Sequence, residues 1–193
     1  MVDSGCPDLW KEATKDVMSQ GIGRIAMTLV HSFLPVEDHD AEKLILGSMP
    51  GKASLAAGQY YAHPRNHFWP IITELFGVSA DISYETRLFI LKSQRIALWD
   101  VLASCSRKSS LDARIEKSSE MINDFKSFFS SHPRISDVFF NGRKAEQSFL
   151  KKVAPLLKSG TLNYHFLPST SPANASISYE NKLKAWQELT RSR

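Results

Sequence analysis

Residues 43–69 read KLILGSMPGKASLAAGQYYAHPRNHFW. The opening KLIL is an apolar run that predicts a short buried strand, and from Phe68 onward apolar residues recur at helical spacing. Between them lies a loop with a glycine-proline turn, two tyrosines and an asparagine. Because open α/β sheets bind ligands beyond the carboxyl ends of their strands, we expect this loop to hold a flat, polar ring.

The rest of the chain alternates between strand-like and helical patterns. The predicted strands are residues 43–48, 95–99, 137–141 and 162–167. Besides the helix that begins near Phe68, the predicted helices are residues 118–129, 144–157 and 179–190. Strands that alternate with helices predict a parallel sheet covered on both faces. We therefore expect an α/β fold: a single three-layer α/β/α domain with a central, mainly parallel four-stranded sheet.

Two segments stand apart from this alternation. Residues 1–26 carry a small amphipathic pattern, and we predict an N-terminal extension or added helix there, followed by one domain over residues 27–193. Residues 104–119 are rich in serine and charge, and we predict a long, solvated surface loop. The alternative for this loop is a phosphate contact through Arg107, Lys108 or Arg114.

Composition narrows the class of protein. The formal charge of +4 and the pI of about 9.1 suit a polyanionic partner, although the charge density is far below that of a histone-like binder. With two cysteines, the chain has neither a disulfide framework nor a four-cysteine metal site. The amino terminus lacks the apolar core of a signal peptide, and no run is long enough to span a bilayer. We expect a soluble, cytoplasmic protein with no membrane association.

A second concentrated loop, LPSTSPANA, occupies residues 167–175 after the last predicted strand. In a parallel sheet, it emerges at the same edge as the first loop. Small hydroxyls and backbone N–H groups can hold phosphate oxygens, and prolines stiffen a loop enough to wedge it into a base stack. On its own the pattern is also that of a plain turn.

Taken together, these segments resemble the uracil-DNA glycosylase superfamily, and most closely its hypoxanthine-DNA (deoxyinosine) glycosylase branch. The resemblance runs from His31 to the end of the sequence, and its segments are HSFLPV, GSMPG, YYAHPRNHFW, RIALWDVLASC, DVFFNGRKA and LPSTSPANA. It implies the uracil-DNA glycosylase-like fold, with residues 27–193 as the catalytic domain. The implied activity is excision of a deaminated base, most simply hypoxanthine, by hydrolysis of the N-glycosidic bond. The implied partner is double-stranded DNA that contains a deaminated base, and the protein would associate with a bacterial or archaeal nucleoid during repair. We expect a monomer that needs no cofactor.

Two residues depart from the related patterns. The mismatch-specific uracil/thymine glycosylases carry GINPG followed by an aromatic residue, AHP, a variable residue and Asn. Met49 occupies the place of their catalytic Asn, where other uracil enzymes carry a water-activating Asp, and a thioether cannot orient or deprotonate water. Leu167 replaces the His or Asn that opens the second motif in most relatives. The hypoxanthine branch resembles this chain in lacking both polar groups.

Three other functions stay open at this point. One is a G:U/G:T mismatch-specific uracil/thymine-DNA glycosylase whose catalytic duty has moved to another residue. The second is a non-catalytic binder of damaged DNA, because both polar groups are missing. The third is a soluble α/β domain that acts on a small nucleoside.

The resemblance implies a set of site residues. Asn66 is the implied catalytic residue; its side chain offers one acceptor and two donors but cannot act as a general base, and its alternative role is an N-cap before Phe68. The implied base-binding residues are Gly47, Ser48, Met49, Pro50, Gly51, Tyr61 and His63. The implied DNA-binding residues are Ser54, Asn141, Arg143, Lys144, Ser169, Thr170, Ser171, Pro172 and Asn174.

Two further patterns predict ordinary structural roles. His63 and His67 are four residues apart, but Pro64 disfavours one continuous helix and no third ligand is near, so we expect no metal site. Asp100 follows a predicted strand, where a catalytic carboxylate could lie. We expect it to cap a helix or to accept a loop hydrogen bond instead.

Overall fold

A computed structural model describes residues 28–107, 115–157 and 162–191. The predicted N-terminal extension, together with Lys108 and Arg114, lies outside these described residues. The strands are β1 (Thr28–His31), β2 (Lys43–Gly47), β3 (Ile96–Asp100), β4 (Leu102–Arg107), β5 (Met121–Ile122), β6 (Asp137–Asn141) and β7 (Asn163–Leu167). The α-helices are α1 (Lys52–Ala57), α2 (Phe68–Leu75), α3 (Tyr84–Ser93), α4 (Phe125–Ser131), α5 (Arg143–Lys152) and α6 (Tyr179–Trp186).

The central sheet has four parallel strands in the order β3-β2-β6-β7. Its strands match the four predicted from the sequence to within one residue at every end. All five residues of β3 and all five of β6 are buried, as is typical of a parallel sheet that is covered on both faces.

Helices cover both faces of this sheet. On one face, Ile45 of β2 packs with α2, α3 and α6, which contribute the buried residues Phe68, Leu91 and Trp186. On the other face, Leu44 and Leu46 pack with residues of α4 and α5. Successive residues of a strand point to opposite faces, so one apolar run fills both layers. The predicted three-layer α/β/α fold is confirmed.

A small antiparallel sheet, in the order β1-β4-β5, corrects the prediction for residues 104–119. The first part of that segment belongs to β4, which pairs with β1, and residues 117–119 form a single 3-10 turn. Cys105 and Arg107 of β4 are buried, so residues 104–107 are not a solvated loop. Ser104 and Ser106 occupy the partly exposed positions on either side of Cys105, so a count of polar residues does not reveal the strand.

Three predicted helices have different bounds. The helix predicted over residues 118–129 is wrong in its first half, since Met121 and Ile122 form β5 and the helix begins after Asp124, whose carboxylate accepts from the Ser127 N–H at 3.0 Å. The helix predicted over residues 144–157 ends at Lys152, and the 3-10 turn that follows contains Pro155. The last helix continues beyond Trp186 as a 3-10 turn. Across the described residues, no helix has both the length and the apolar character needed to cross a bilayer.

Candidate active site

Two loops meet at the carboxyl edge of the central sheet. Gly47, at the end of β2, is in register with Asp100 at the end of β3, and Asn141 of β6 is in register with Leu167 of β7. The loops that follow β2 and β7 are joined directly, because the His67 N–H donates to the Thr170 carbonyl at 3.0 Å. The predicted juxtaposition of residues 47–69 and 167–175 is therefore confirmed.

Two carbonyl groups at the start of the first loop are bonded to the protein. The Gly47 carbonyl accepts from the Val101 N–H at 2.9 Å, and the Ser48 carbonyl accepts from the Leu102 N–H at 3.2 Å. Among the described residues, the N–H groups of Met49 and Gly51 have no protein acceptor. These two backbone donors suit a site where negative charge develops.

The Met49 side chain is part of the core. It is buried and packs with Leu102, Cys105 and Ile115 of the small sheet and its flank. Its thioether thus contacts apolar neighbours. The implied base-binding role of Met49 can be filled by its backbone alone.

Gly47 has no room for a side chain. A Cβ atom at this position would lie 2.3 Å from Oδ1 of Asp100 and 2.8 Å from the hydroxyl of Tyr61. Asp100 is 3% exposed, and its other oxygen accepts a hydrogen bond from the Ser32 hydroxyl at 2.9 Å. The predicted loop hydrogen bond of Asp100 is present. No local pattern indicates that this carboxylate lies against Gly47, because the contact depends on the β2–β3 register.

The two tyrosines have different environments. Tyr61 has a φ of 55°, in the left-handed region, and its ring stacks on Phe68 with centroids 4.0 Å apart and planes 25° apart. Tyr60 is buried, and its hydroxyl donates to the Leu34 carbonyl at 3.2 Å. Burial raises the pKa of the Tyr60 hydroxyl, and the nearby Asp100 carboxylate adds to this effect. Tyr60 is thus a core residue, while Tyr61 is only partly buried.

Asn66 precedes His67, the N-cap residue of α2. Its side-chain oxygen accepts from the Phe68 N–H, the first of the helix, at 2.9 Å, and its own N–H donates to the His63 carbonyl at 2.8 Å. Within the described ranges, the side-chain nitrogen of Asn66 makes no hydrogen bond. Asn66 therefore bonds the start of α2 from the position before the N-cap, and this bond leaves two N–H donors on the same side chain. His63 shapes the same turn, since its Nδ1 accepts from the Arg65 N–H at 3.1 Å.

Three of the implied DNA-binding side chains are buried. The Asn141 amide donates to the Thr170 hydroxyl at 2.9 Å and accepts from the Thr170 N–H at 2.9 Å, and Thr170 is 0% exposed. Ser54 is 5% exposed, and its hydroxyl accepts from the Ala62 N–H at 3.2 Å. The polar atoms of these side chains are enclosed and bonded to the protein: Ser54 holds the first loop together, and the Asn141–Thr170 pair ties the second loop to β6.

The other implied DNA-binding residues of the second loop lie at or near the surface. Ser169, Ser171, Pro172 and Asn174 are all partly exposed. The ammonium of Lys182, which is 1% exposed, donates to the Asn174 carbonyl at 2.8 Å and supports the loop from below; burial lowers the pKa of this ammonium. The loop also packs closely on the turn before α5, because a Cβ at Gly142 would lie 2.7 Å from Cβ of Ser169.

The two basic residues at the start of α5 differ in availability. Arg143 is exposed. The Lys144 ammonium forms an ion pair with Glu120, whose carboxylate also lies 2.7 Å from the Lys152 ammonium. Burial opposes ionisation of Glu120, but the two ammonium groups outweigh it and hold the pKa of this carboxyl below its usual value. Arg143 therefore has the freer charge of the two.

One group of potential metal ligands lies away from the candidate site. Within the described ranges, the potential ligands that lie close together are Asp38, His39 and Asp40, and they are mostly exposed. These residues precede β2, at the opposite end of the strand from Gly47.

We compared the chain with protein-family models and with proteins of known function. Residues 34–190 match the family model of the Uracil DNA glycosylase superfamily. The chain is 38% identical over 160 residues to the hypoxanthine DNA glycosylase of Methanosarcina acetivorans, a match that spans 82% of this chain and 96% of that protein. It is 36% identical to the hypoxanthine DNA glycosylase of Methanosarcina barkeri, over 81% of this chain and 94% of that one.

The fold has a solved counterpart. A solution NMR structure of a candidate uracil DNA glycosylase from Methanosarcina acetivorans superposes with a TM-score of 0.69 at 34% sequence identity. The match covers 85% of this chain and 100% of that structure. By fold, by the position of its two loops and by sequence, this chain belongs to the Uracil DNA glycosylase superfamily.

Proposed function

We propose that this protein is a DNA repair glycosylase that excises hypoxanthine from deoxyinosine in double-stranded DNA and leaves an abasic site. The observation that carries the proposal is the make-up of the first loop. The same loop contains the unused N–H donors of Met49, Gly51 and Asn66 and the ring of Tyr61, and Met49 places a buried thioether where uracil enzymes carry a polar side chain. The two Methanosarcina relatives are named for activity on hypoxanthine, and they match over almost their whole length.

The target nucleotide has to leave the helix before it can react, because the glycosidic bond is shielded inside a duplex. In the proposal, the flipped purine stacks on Tyr61, whose ring is already oriented by Phe68. Arg143 and the surface residues Ser169, Ser171 and Asn174 contact the phosphates on either side. Pro172 helps to fill the gap in the base stack. The protein acts as a monomer on its duplex.

The reaction is a dissociative hydrolysis. The bond between C1′ of the sugar and N9 of hypoxanthine breaks, and its electron pair leaves with the purine, so the sugar becomes an oxocarbenium ion. A water oxygen then bonds to C1′, and the proton that the water loses neutralises the purine. The donors of Met49, Gly51 and Asn66 stabilise the negative charge on the departing base, and such preorganised donors are among the largest contributions to catalysis.

The rival functions predict other features. A uracil or thymine enzyme gains from a polar side chain at position 167, but Leu167 is 7% exposed and packs in the core. A non-catalytic binder has no need for donors directed at a leaving base. A nucleoside hydrolase has no use for an exposed, proline-stiffened loop next to Arg143.

The test is an excision assay on duplexes that contain hypoxanthine, uracil, xanthine or mismatched thymine in one sequence context. We expect cleavage at hypoxanthine, and loss of cleavage with retained duplex binding in Asn66→Ala. Strong uracil cleavage with none at hypoxanthine would contradict the substrate. Binding without cleavage of any of these bases would favour the binder. Excision of free deoxyinosine as fast as of the duplex base would favour the nucleoside enzyme.

A further inference from the structure

Arg107, the last residue of β4, is a buried cation beneath the first loop. It is 3% exposed, and its Nη2 group donates to the Pro50 carbonyl. Its Nη1 group is buried without a hydrogen-bond partner, and within the described ranges no carboxylate forms an ion pair with it. Burying a charge without a counter-charge is unfavourable, so a residue of this kind calls for an explanation.

The contact to Pro50 aims a donor at the site. In a trans peptide unit, the C=O and the next N–H point in opposite directions. Because Arg107 holds the Pro50 carbonyl inward, the N–H of Gly51 points outward from the same peptide plane, and it has no acceptor among the described residues. A cation bonded to the carbonyl also polarises that peptide and makes its N–H a better donor.

We propose that Arg107 is a positioning residue for the excision reaction, and that its buried charge is the counter-charge of the departing purine anion. It acts through the Pro50–Gly51 peptide and, over a short range, through the field of its unpaired guanidinium group. The bond that breaks is C1′–N9, and the electron pair moves onto the purine, so the negative charge appears only as the base leaves. The inference rests on the proposed glycosylase function, which supplies this anion.

Burial argues against a phosphate as the normal partner of Arg107. A phosphate contact requires an exposed guanidinium, as at Arg143, whereas Arg107 is enclosed by the small sheet and the first loop. A purely structural clamp requires only the Pro50 contact. It does not account for a second, unpartnered guanidinium nitrogen in the interior.

The experiment compares Arg107→Met, which keeps the length of the side chain without its charge, with Arg107→Lys. For each variant, unfolding temperature, affinity for a duplex that carries 2′-fluoro-arabino-deoxyinosine, and single-turnover excision of hypoxanthine are measured across pH. We expect Arg107→Met to fold and bind like the wild type and to excise at least about tenfold more slowly at neutral pH, a smaller loss than that for a direct donor. The deficit should narrow in acid, where the purine can leave protonated, and Arg107→Lys should recover part of the rate.

Each other result overturns the inference. An unchanged excision rate in Arg107→Met means that the charge is not used. A rate loss that is equal at every pH and accompanied by a lower unfolding temperature means a structural clamp. A weaker, less salt-dependent duplex affinity with a normal rate in the bound complex means a phosphate contact. If the wild type excises no base at all, the proposed function itself fails, whereas an active wild type with a normal Arg107→Met variant removes this inference alone.

Discussion

The side-chain oxygen of Asn66 accepts a hydrogen bond from the Phe68 N–H at 2.9 Å, so the oxygen of this carboxamide is bound at the start of α2 while its two N–H groups stay available. This bond fixes which end of the amide can reach a substrate. It also ties the proposed catalytic group to Phe68, the residue on which Tyr61 stacks. A hydrogen bond to the start of α2 and the proposed catalytic role are therefore compatible in one side chain.

Substitutions at Asn66 separate these two roles. Asn66→Asp keeps an oxygen acceptor for the Phe68 N–H but loses the amide donors, so we expect near-normal stability with excision about 100- to 1,000-fold slower. Asn66→Ala loses both, and we expect the same kinetic loss with a decrease of about 1 kcal/mol in the free energy of unfolding. Denaturant unfolding and single-turnover kinetics measure the two effects. Full activity in Asn66→Asp would rule out the donor role.

Gly47→Ala tests the close approach of Gly47, Asp100 and Tyr61 at the edge of the central sheet. The new methyl group would meet Asp100 and Tyr61, and overpacking of this kind costs roughly 1–3 kcal/mol. We expect a lower unfolding temperature and slow excision, because the ring of Tyr61 has to shift. Gly51→Ala is the matched control for stability, since a Cβ at Gly51 has no atom within 4 Å. Equal stability of the two variants would contradict the packing described here.

Thr170→Val tests the buried pair that joins the second loop to β6. The substitution keeps the shape of the side chain but leaves the Asn141 amide without its acceptor, which costs about 1–3 kcal/mol. Thr73→Val is the control. The Thr73 hydroxyl is also buried, but it donates to carbonyls of its own helix, so its removal leaves no buried N–H donor without an acceptor. Thermal unfolding should therefore separate the variants, and similar losses in both would argue against a specific role for the Asn141–Thr170 pair.

Arg143 and Lys144 should contribute unequally to DNA affinity. Arg143 is exposed, whereas the Lys144 charge is already paired with Glu120. We expect Arg143→Ala to weaken duplex binding and to reduce the slope of log K against log salt by about 1. Lys144→Ala should change that slope less. Fluorescence anisotropy over a range of salt concentrations measures both, and a larger effect at Lys144 would reverse the assignment.

Glu120 should make stability depend on pH. Because the pKa of Glu120 is lower in the folded protein, its contribution is fully present above the pKa of the unfolded chain and is lost as the pH falls through the folded value. Glu120→Gln should therefore destabilise the protein by about 1 kcal/mol at neutral pH, and the difference from wild type should disappear in acid. Unfolding midpoints at several pH values measure this. The exposed Glu116→Gln serves as the control, and a gap that persists in acid would refute the ion-pair explanation.

Local patterns in the sequence were sufficient to predict the four strands of the central sheet. The apolar runs that became β2, β3, β6 and β7 are short, buried and followed by turns, and each forms where its pattern predicts. Asn66 and Tyr61 were identified through a motif whose spacing is local. The helix predicted over residues 118–129 was wrong in its first half because the spacing of Met121 and Ile122 fits a helix as well as a strand. Their pairing with β4, which no local pattern shows, makes them a strand.

The sequence by itself determined the α/β class and the two loops at one sheet edge, because these depend on periodicity and turn residues. Through its resemblance to known families, it also showed that Met49 and Leu167 stand where most relatives carry polar groups. The tertiary structure alone decided the small β1-β4-β5 sheet, the enclosure of Thr170 and the contact of Arg107 with Pro50. Arg107 and Pro50 are far apart in the chain and become neighbours only when β4 packs beneath the first loop. Burial and partnership of a charged side chain are properties of that packing, so no local pattern could predict them.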